Sequence, residues 1–431
     1  MNSEIEKQKE EWMIADLHIH SRFSRACSKN ITIPELAKWA RIKGINLLGT
    51  GDFTHPNWLK EIKENLKDNG KGLYYYEDSN GKFPFVISGE ISLVYTKEKG
   101  RRIHLVLLVP NLEIAEKINS YFDSKGRRDY DGRPIFSIAG DRFVEDLMKI
   151  SKDIEIIPAH VWTPWFGVFG SKSGFNSLKE CFNGQLENIH AIETGISSDP
   201  EMNWKIKELN NKSIVSFSDS HSFWPFRLGR EATIFKKTDS YKDIIKQIRS
   251  NEFIATIETN PAYGKYHWDG HRLCGYSCSP KETKKLNGIC PKCKKPLTVG
   301  VEYRVDELTT QDHEKYPHKK PYYKILPLHE IIALSLNTDN IESKKVWEVY
   351  NLLIKEFENE FNILLHLDKQ DMINKNVDDK MINLILKNKE GKIKIIPGYD
   401  SEYGKAVLGK SRILWFRDYN NFNCLWAHLL F

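Results

Sequence analysis

Trp12-Met-Ile-Ala-Asp16-Leu-His18-Ile-His20-Ser21 passes from an apolar, β-rich run (12–15) straight into an acid and two histidines. Residues i and i+2 of a strand point to one side, so His18 and His20 can grip the same ion. Six more short apolar runs follow, at 45–49, 84–88, 103–109, 154–157, 189–192 and 213–217. Most end in similar residues: Asp52 and His55 after the second, Glu90 after the third, His160 after the fifth, Glu193 after the sixth, Asp219 and His221 after the seventh. His104 stands at the start of the fourth run and breaks the rule. Helical patterns lie between the runs, at 34–43, 56–66, 111–122, 141–150 and 201–210. This alternation predicts an α/β fold with parallel strands, a TIM-like barrel or a distorted relative of one, with an open doubly wound sheet as the alternative. In a parallel barrel all strand C-termini open onto one face, where residues far apart in sequence converge. Buried charges at six strand ends would be costly without a cation among them. Mixed imidazole and carboxylate ligands are the donor set of a Zn, Mn or Fe(II) site more than of an all-oxygen Mg site.

The chain has 431 residues, a net charge of +6 and 40% hydrophobic residues, the balance of a globular protein of two or three domains. Its longest apolar run, Leu105 to Val109, is strand-sized and far below the ~20 residues of a membrane span. The start is charged (Glu4, Glu6, Lys7, Lys9, Glu10, Glu11) and lacks the apolar core of a signal peptide, which predicts a cytoplasmic protein. Three regions are expected: a catalytic barrel over 1–261, a cysteine-bearing part over 262–312, and a mainly helical part over 313–431. The last carries helical patterns at 328–336, 341–360 and 371–388 and a β-like run at 392–396.

Seven cysteines are present, with Cys27, Cys181 and Cys424 scattered and Cys274, Cys278, Cys290 and Cys293 crowded into 20 positions. An odd count with one tight cluster predicts reduced thiols and one structural zinc on four thiolates. Cys290-Pro-Lys-Cys293 carries the spacing of a zinc knuckle. Residues 281–295 hold six lysines and one glutamate, a ribbon suited to phosphate backbones, in which Lys292 and Lys294 flank Cys293. Aromatic residues cluster after two of the ligand candidates. Trp162, Trp165, Phe166, Phe169 and Phe175 follow His160, with Gly167, Gly170, Ser171 and Gly174 among them. Phe223, Trp224, Phe226, Arg227 and Arg230 follow His221. Aromatic side chains beside a metal can stack an unpaired base, and glycines allow a loop to approach its ligand closely.

Asp16-Leu-His18-Ile-His20-Ser, Gly51-Asp52, Gly89-Glu90, His104-Leu, Pro158-Ala-His160 and Ser218-Asp219-Ser-His221 resemble the motifs of the polymerase-and-histidinol-phosphatase (PHP) superfamily. That resemblance implies a distorted (β/α)7 barrel and metal-dependent phosphoester hydrolysis. It implies one ion on His18, His20, Glu90 and Asp219, and a second on His104 and His160 bridged by Glu90. A third ion would take His221 with Asp52 or His55. Two positions depart from the pattern: Phe53 replaces a family histidine, and Ser24-Arg25-Ala26 offers no imidazole. Catalysis would rest on Asp219, Glu90, His18 and His20, with two or three divalent ions (Zn, Mn or Mg).

Further stretches narrow the resemblance. Leu48-Gly-Thr-Gly-Asp52-Phe-Thr-His55-Pro-Asn-Trp58, Pro158-Ala-His160-Val-Trp162-Thr-Pro-Trp165, the four-cysteine insert and Ile396-Pro-Gly-Tyr-Asp400-Ser-Glu-Tyr403-Gly are similar to the endonuclease Q branch of that superfamily. The resemblance implies cleavage 5′ to deaminated bases (uracil, hypoxanthine, xanthine) or abasic sites, leaving 3′-OH and 5′-phosphate. Extrusion of the damaged nucleotide would supply selectivity. Trp162, Trp165, Phe166, Phe169, Gly170, Ser171, Arg227, Lys292 and Lys294 would contact DNA. The partners expected are lesion-bearing DNA and a replication clamp, with no membrane and a monomeric state. A small-molecule PHP phosphatase and a non-catalytic nucleic-acid-binding protein are the alternatives.

Overall fold

The computed structural model describes residues 11–408; Glu4 to Glu10 and Cys424, which enter the reading above, lie outside them. Strands occupy all seven apolar runs: β1 (Trp12–Asp16), β2 (Leu47–Gly49), β3 (Gly81–Lys97), β4 (Lys99–Val109), β5 (Glu155–Pro158), β6 (Ala191–Glu193) and β7 (Ser213–Val215). β1, β2 and β3 pair in parallel, as do β6 and β7. The middle of the sheet departs from the all-parallel expectation. β3 and β4 form a long antiparallel hairpin, from Ile87 opposite Val109 to Lys97 opposite Lys99, and β5 lies antiparallel to β4. Glu98, at φ 62°, is the whole connection between β3 and β4. A parallel crossover needs about a dozen residues or more, so this link can only reverse the chain.

Among the strands beyond those expected, β8 (Ala232–Lys236) runs antiparallel to β1, and β9 (Ala255–Glu258) runs antiparallel to β8. Tyr322–Lys324 then adds to β9, so the C-terminal third begins as an edge of the central sheet. The fold is mixed α/β around that sheet. The antiparallel middle also excludes the doubly wound parallel alternative.

Alternate residues of these strands meet in one inner cluster: Met13, Ala15 and Leu17 from β1 and just beyond it, Leu47, Val86, Val106 and Leu108, Ile157, Ala191 and Val215. Ile14, Leu48, Phe85, Ile87, Leu105 and Leu107 face the other way, into the larger core beneath the helices. Glu90 shares a strand face with Val86, and His104 shares one with Val106, so both side chains rise directly above the inner cluster. The first helix, Ile33–Lys43, starts at Thr32, whose hydroxyl accepts from the Glu35 amide, and stops at Gly44 with φ 94°.

Two expected helices are broken. The 201–210 pattern becomes Pro200–Trp204 and a single turn, Lys207–Asn211. The 371–388 pattern becomes Lys369–Asn374 and Asp379–Lys389, divided by Asn376 at φ 56° and by Asp378, whose carboxylate caps the second helix. No helix among the described residues is long and apolar enough to cross a membrane.

Candidate active site: two ligand groups sharing Glu90

The β3–β4 reversal accounts for His104. Running antiparallel, the first half of β4 lies beside the second half of β3, and His104 sits diagonally across from Glu90 at the same mouth. Its Nδ1 is 2.7 Å from Glu90 Oε1, and His160 Nε2 is 3.1 Å from the same oxygen. Glu90 Oε2 faces the other side, 3.6 Å from His18 Nε2 and 3.2 Å from His20 Nε2. Asp219 Oδ1 closes that side at 3.5 Å from His18 Nε2 and 3.0 Å from His20 Nε2. Two groups capable of holding an ion result, His18–His20–Glu90–Asp219 and Glu90–His104–His160, with Glu90 common to both.

Neighbouring carboxylates aim the ligands. Glu193 accepts from His18 Nδ1 at 2.9 Å and from the His160 amide at 2.7 Å. His18 Nε2 is thereby turned inward, where it is buried without a hydrogen-bond partner. An orphaned imidazole nitrogen backed by a carboxylate on its other nitrogen is the arrangement of a metal-ligating histidine, so the residues present fit divalent ions. Burial opposes the charge on Glu90, but His104 and Arg133 outweigh it and hold the carboxyl well below its usual range. Burial pushes His104 down to about 4, the neutral form that a ligand needs. Asp52, His160 and Asp219 hold φ of 42°, 31° and 49°. Left-handed backbone costs such residues on the order of 1–3 kcal/mol, and here it turns three site side chains at chain positions just past strands.

The structure does not gather the third set. Asp52 is wholly engaged as a holder of His20: Oδ1 lies 3.0 Å from His20 Nδ1, while Oδ2 accepts from the Ser21 amide and from the Ser21 and Ser24 hydroxyls. His55 stacks on Phe23 and places Nε2 3.2 Å from the Asp129 carbonyl. The His221 ring lies 4.3 Å from that of His20, but its Nδ1 is 3.0 Å from the Asp219 carbonyl. None of the three joins either group. Phe53 is buried, with its ring against Gly89.

Arg133 escaped the sequence reading. Its Nη1 donates to Glu90 Oε2 at 2.8 Å. It reaches there from a tight turn in which a Cβ on Gly132 would come within 2.1 Å of Asp52 Oδ2. A glycine before an arginine carries no periodic signal, so only the turn's approach to Asp52 reveals it.

The aromatic loop divides. Trp162 and Phe169 are fully buried core residues, packed against each other with their rings tilted by 38°, with the Trp162 indole donating to Asn203. They are closed to a base, contrary to expectation. Gly167, Gly170 and Gly174 each abut backbone of their own loop, within 2.6 Å of where a Cβ would stand, so they compact the loop instead of admitting a ligand. Phe166 lies 4.3 Å from the His104 ring, and Trp165 is exposed against Tyr266. Ser171 is half-buried with an unpaired hydroxyl, and Arg227 is half-buried over Phe226. Lys292 and Lys294 are exposed.

The cysteine cluster also differs from expectation. His271, Cys274, Cys290 and Cys293 bring their ligand atoms together, and Cys278 stands apart, its Sγ 3.2 Å from the Thr283 hydroxyl. His271-Arg-Leu-Cys274 has the same x2 spacing as Cys290-Pro-Lys-Cys293, a signal that x3 between Cys274 and Cys278 lacks. A histidine and three thiolates make a closed tetrahedral set suited to structural zinc. Cys278→Ser is therefore expected to keep its zinc and His271→Ala to lose it, read by metal content of the purified proteins. Loss in Cys278→Ser alone would restore the four-thiolate set.

Two ligand groups joined at one carboxylate above a sheet make a site able to hold metal ions. The chain is 30% identical to the lesion-specific endonuclease PfuEndoQ of Pyrococcus furiosus, with a TM-score of 0.82 to its crystal structure over 93% of this chain and 96% of that one. An endonuclease Q complex with a 27-mer duplex carrying an abasic lesion matches with the same TM-score and identity, over 93% and 97%. The chain belongs to the endonuclease Q family. YqxK of Bacillus subtilis, uncharacterised, is 25% identical over 411 residues, 91% of this chain and 98% of its own. MJ0043 of Methanocaldococcus jannaschii, also uncharacterised, is 33% identical over 263 residues; that match takes in 60% of this chain and about a third (32%) of MJ0043's length. Residues 327–392 match the family described as the MJ0043 C-terminal domain.

Proposed function

We propose that this protein is a metal-dependent DNA-repair endonuclease that cuts the phosphodiester 5′ to a deaminated base or an abasic site. The observation that carries the reading is Glu90, fully buried and shared by two groups of ligating side chains. Divalent ions (Zn, Mn or Mg) bound there supply Lewis-acid stabilisation of phosphate charge and activation of water. The chain's own residues do the rest. His18, His20 and Asp219 with Glu90 would hold one ion, and His104 and His160 with Glu90 would hold another. Glu193 and Asp52 fix the two imidazoles of the first group, and Arg133 presents a guanidinium beside Glu90 where an anionic phosphate enters. Phe166 and Trp165 line the approach. A barrel-like catalytic part over 1–261, a zinc-bearing part over 262–312 and a helical part over 313–431 make up the proposed organisation, with a monomeric, cytoplasmic protein and a replication clamp as a further partner.

The test is a 5′-labelled duplex with one deoxyuridine, deoxyinosine or abasic site, incubated with metal-loaded protein. One product ending in a 3′-OH immediately 5′ of the lesion is expected, abolished by chelator. Intact strands together with fast hydrolysis of small phosphate monoesters would identify a small-molecule phosphatase instead.

A further inference from the structure

Among the described residues no large apolar side chain is as exposed as Leu273, at 85%. It sits at the tip of a single tight turn, Arg272–Cys274, between two members of the zinc-type group, His271 and Cys274. The turn is held from every side. The Gly275 amide donates to the Arg272 carbonyl, the Lys292 ammonium donates to the Cys274 carbonyl at 2.8 Å, and the Arg272 amide donates to Asp400 at 2.7 Å. A short hairpin, Asp269–His271 with Tyr276–Cys278, clamps its base. A leucine fixed in water on so rigid a support contributes nothing to the fold: the small local core holds Cys278, Cys290 and Leu297, with Leu286 packed on it, and not Leu273.

Its surroundings are charged, with Arg272 and Lys292 at the turn and Asp400 and Glu402 against Arg272, and they are connected to the active site. Arg272 adjoins it, and the six lysines of 281–295 belong to the same small unit. Beyond Asp400, the Ser401 hydroxyl meets Tyr266, Tyr266 packs on Trp165, and the next residue, Phe166, packs on His104. We propose that Leu273 is a wedge that inserts between base pairs of duplex DNA beside the lesion while the surrounding cations hold the phosphates. A protein partner would need a contiguous apolar patch, and here one apolar tip stands among charges. A rigid, exposed leucine flanked by Arg272 and Lys292 is the chemistry of side chains that unstack and kink a duplex. The proposal rests on the DNA-cleaving reading above and adds the residue that opens the stack.

The experiment uses the full-length, zinc-loaded protein and a duplex with 2-aminopurine next to an abasic analogue. Wild type is expected to raise 2-aminopurine fluorescence several-fold on binding. Leu273→Ala is expected to bind within a few-fold by anisotropy and to lose most of that rise, while Leu273→Met retains it; zinc content and thermal stability stay unchanged because the side chain is in water. An undiminished rise in Leu273→Ala overturns the wedge and leaves the endonuclease reading standing. Failure of wild type to bind the duplex at all overturns both.

Discussion

Glu90→Gln is expected to cut strand cleavage by about 10³-fold or more while the protein stays folded and keeps DNA affinity within a few-fold. The substitution preserves volume at a fully buried position and removes only the charge and one oxygen. Both ligand groups depend on that pair of oxygens, Oε1 for His104 and His160, Oε2 for His18 and His20. No other carboxylate among the described residues belongs to both groups, so one group loses its oxygen and the other keeps only a neutral carbonyl oxygen in place of a carboxylate. Arg133 also loses its ionic partner and would add a positive charge beside the cations. Single-turnover nicking and metal stoichiometry of the site are the measurements. Normal turnover with normal metal content would remove Glu90 from the mechanism.

Lys43→Met is expected to destabilise the protein by about 3–5 kcal/mol, the cost of leaving one half of a buried ion pair alone. Lys43 ends the first helix, is 1% exposed, and donates to Glu360 at 2.6 Å and to the Pro225 carbonyl at 2.7 Å. Glu360, also buried, accepts from the Leu328 amide and the Tyr350 hydroxyl. Three parts therefore meet at one ammonium: the catalytic sheet's first helix, the loop that follows Asp219, and the C-terminal helices. The contact is close, since a Cβ on Gly44 would come within 2.4 Å of the Asn359 side chain. Chemical denaturation gives the stability, and Lys43→Met combined with Glu360→Gln is expected to regain most of the loss because no charge is then stranded. A single variant as stable as wild type would show the pair to be dispensable.

The seven runs that became strands, and the acids and histidines at their ends, were legible because local composition encodes them: apolar residues make a strand, and polar residues at its end gather at one face, as ligands or as the groups that aim them. His104 was legible as a ligand but not as an inward-facing one, since that depends on the hairpin around Glu98. Asp52 illustrates the converse error. Its position after a strand matches a ligand, yet Ser21 and Ser24 take up its oxygens, and hydroxyls folded back from the previous loop leave no mark in spacing. Trp162 and Trp165, three residues apart in one loop, differ only in which way the chain turns, one into the core and the other into solvent.

By itself, then, the order of residues determined where seven of the strands lie, the chemical character of their ends and the presence of a cysteine cluster able to hold a metal, because each follows from neighbours within a few positions. Tertiary structure alone decided that His271 displaces Cys278, that Asp52 orients His20 and stays outside the ligand groups, that Arg133 reaches Glu90, and that Lys43 finds Glu360 317 positions away. Those outcomes depend on which side chains the completed fold brings within about 3 Å of one another, and hydrogen bonds and coordination have no reach beyond that distance.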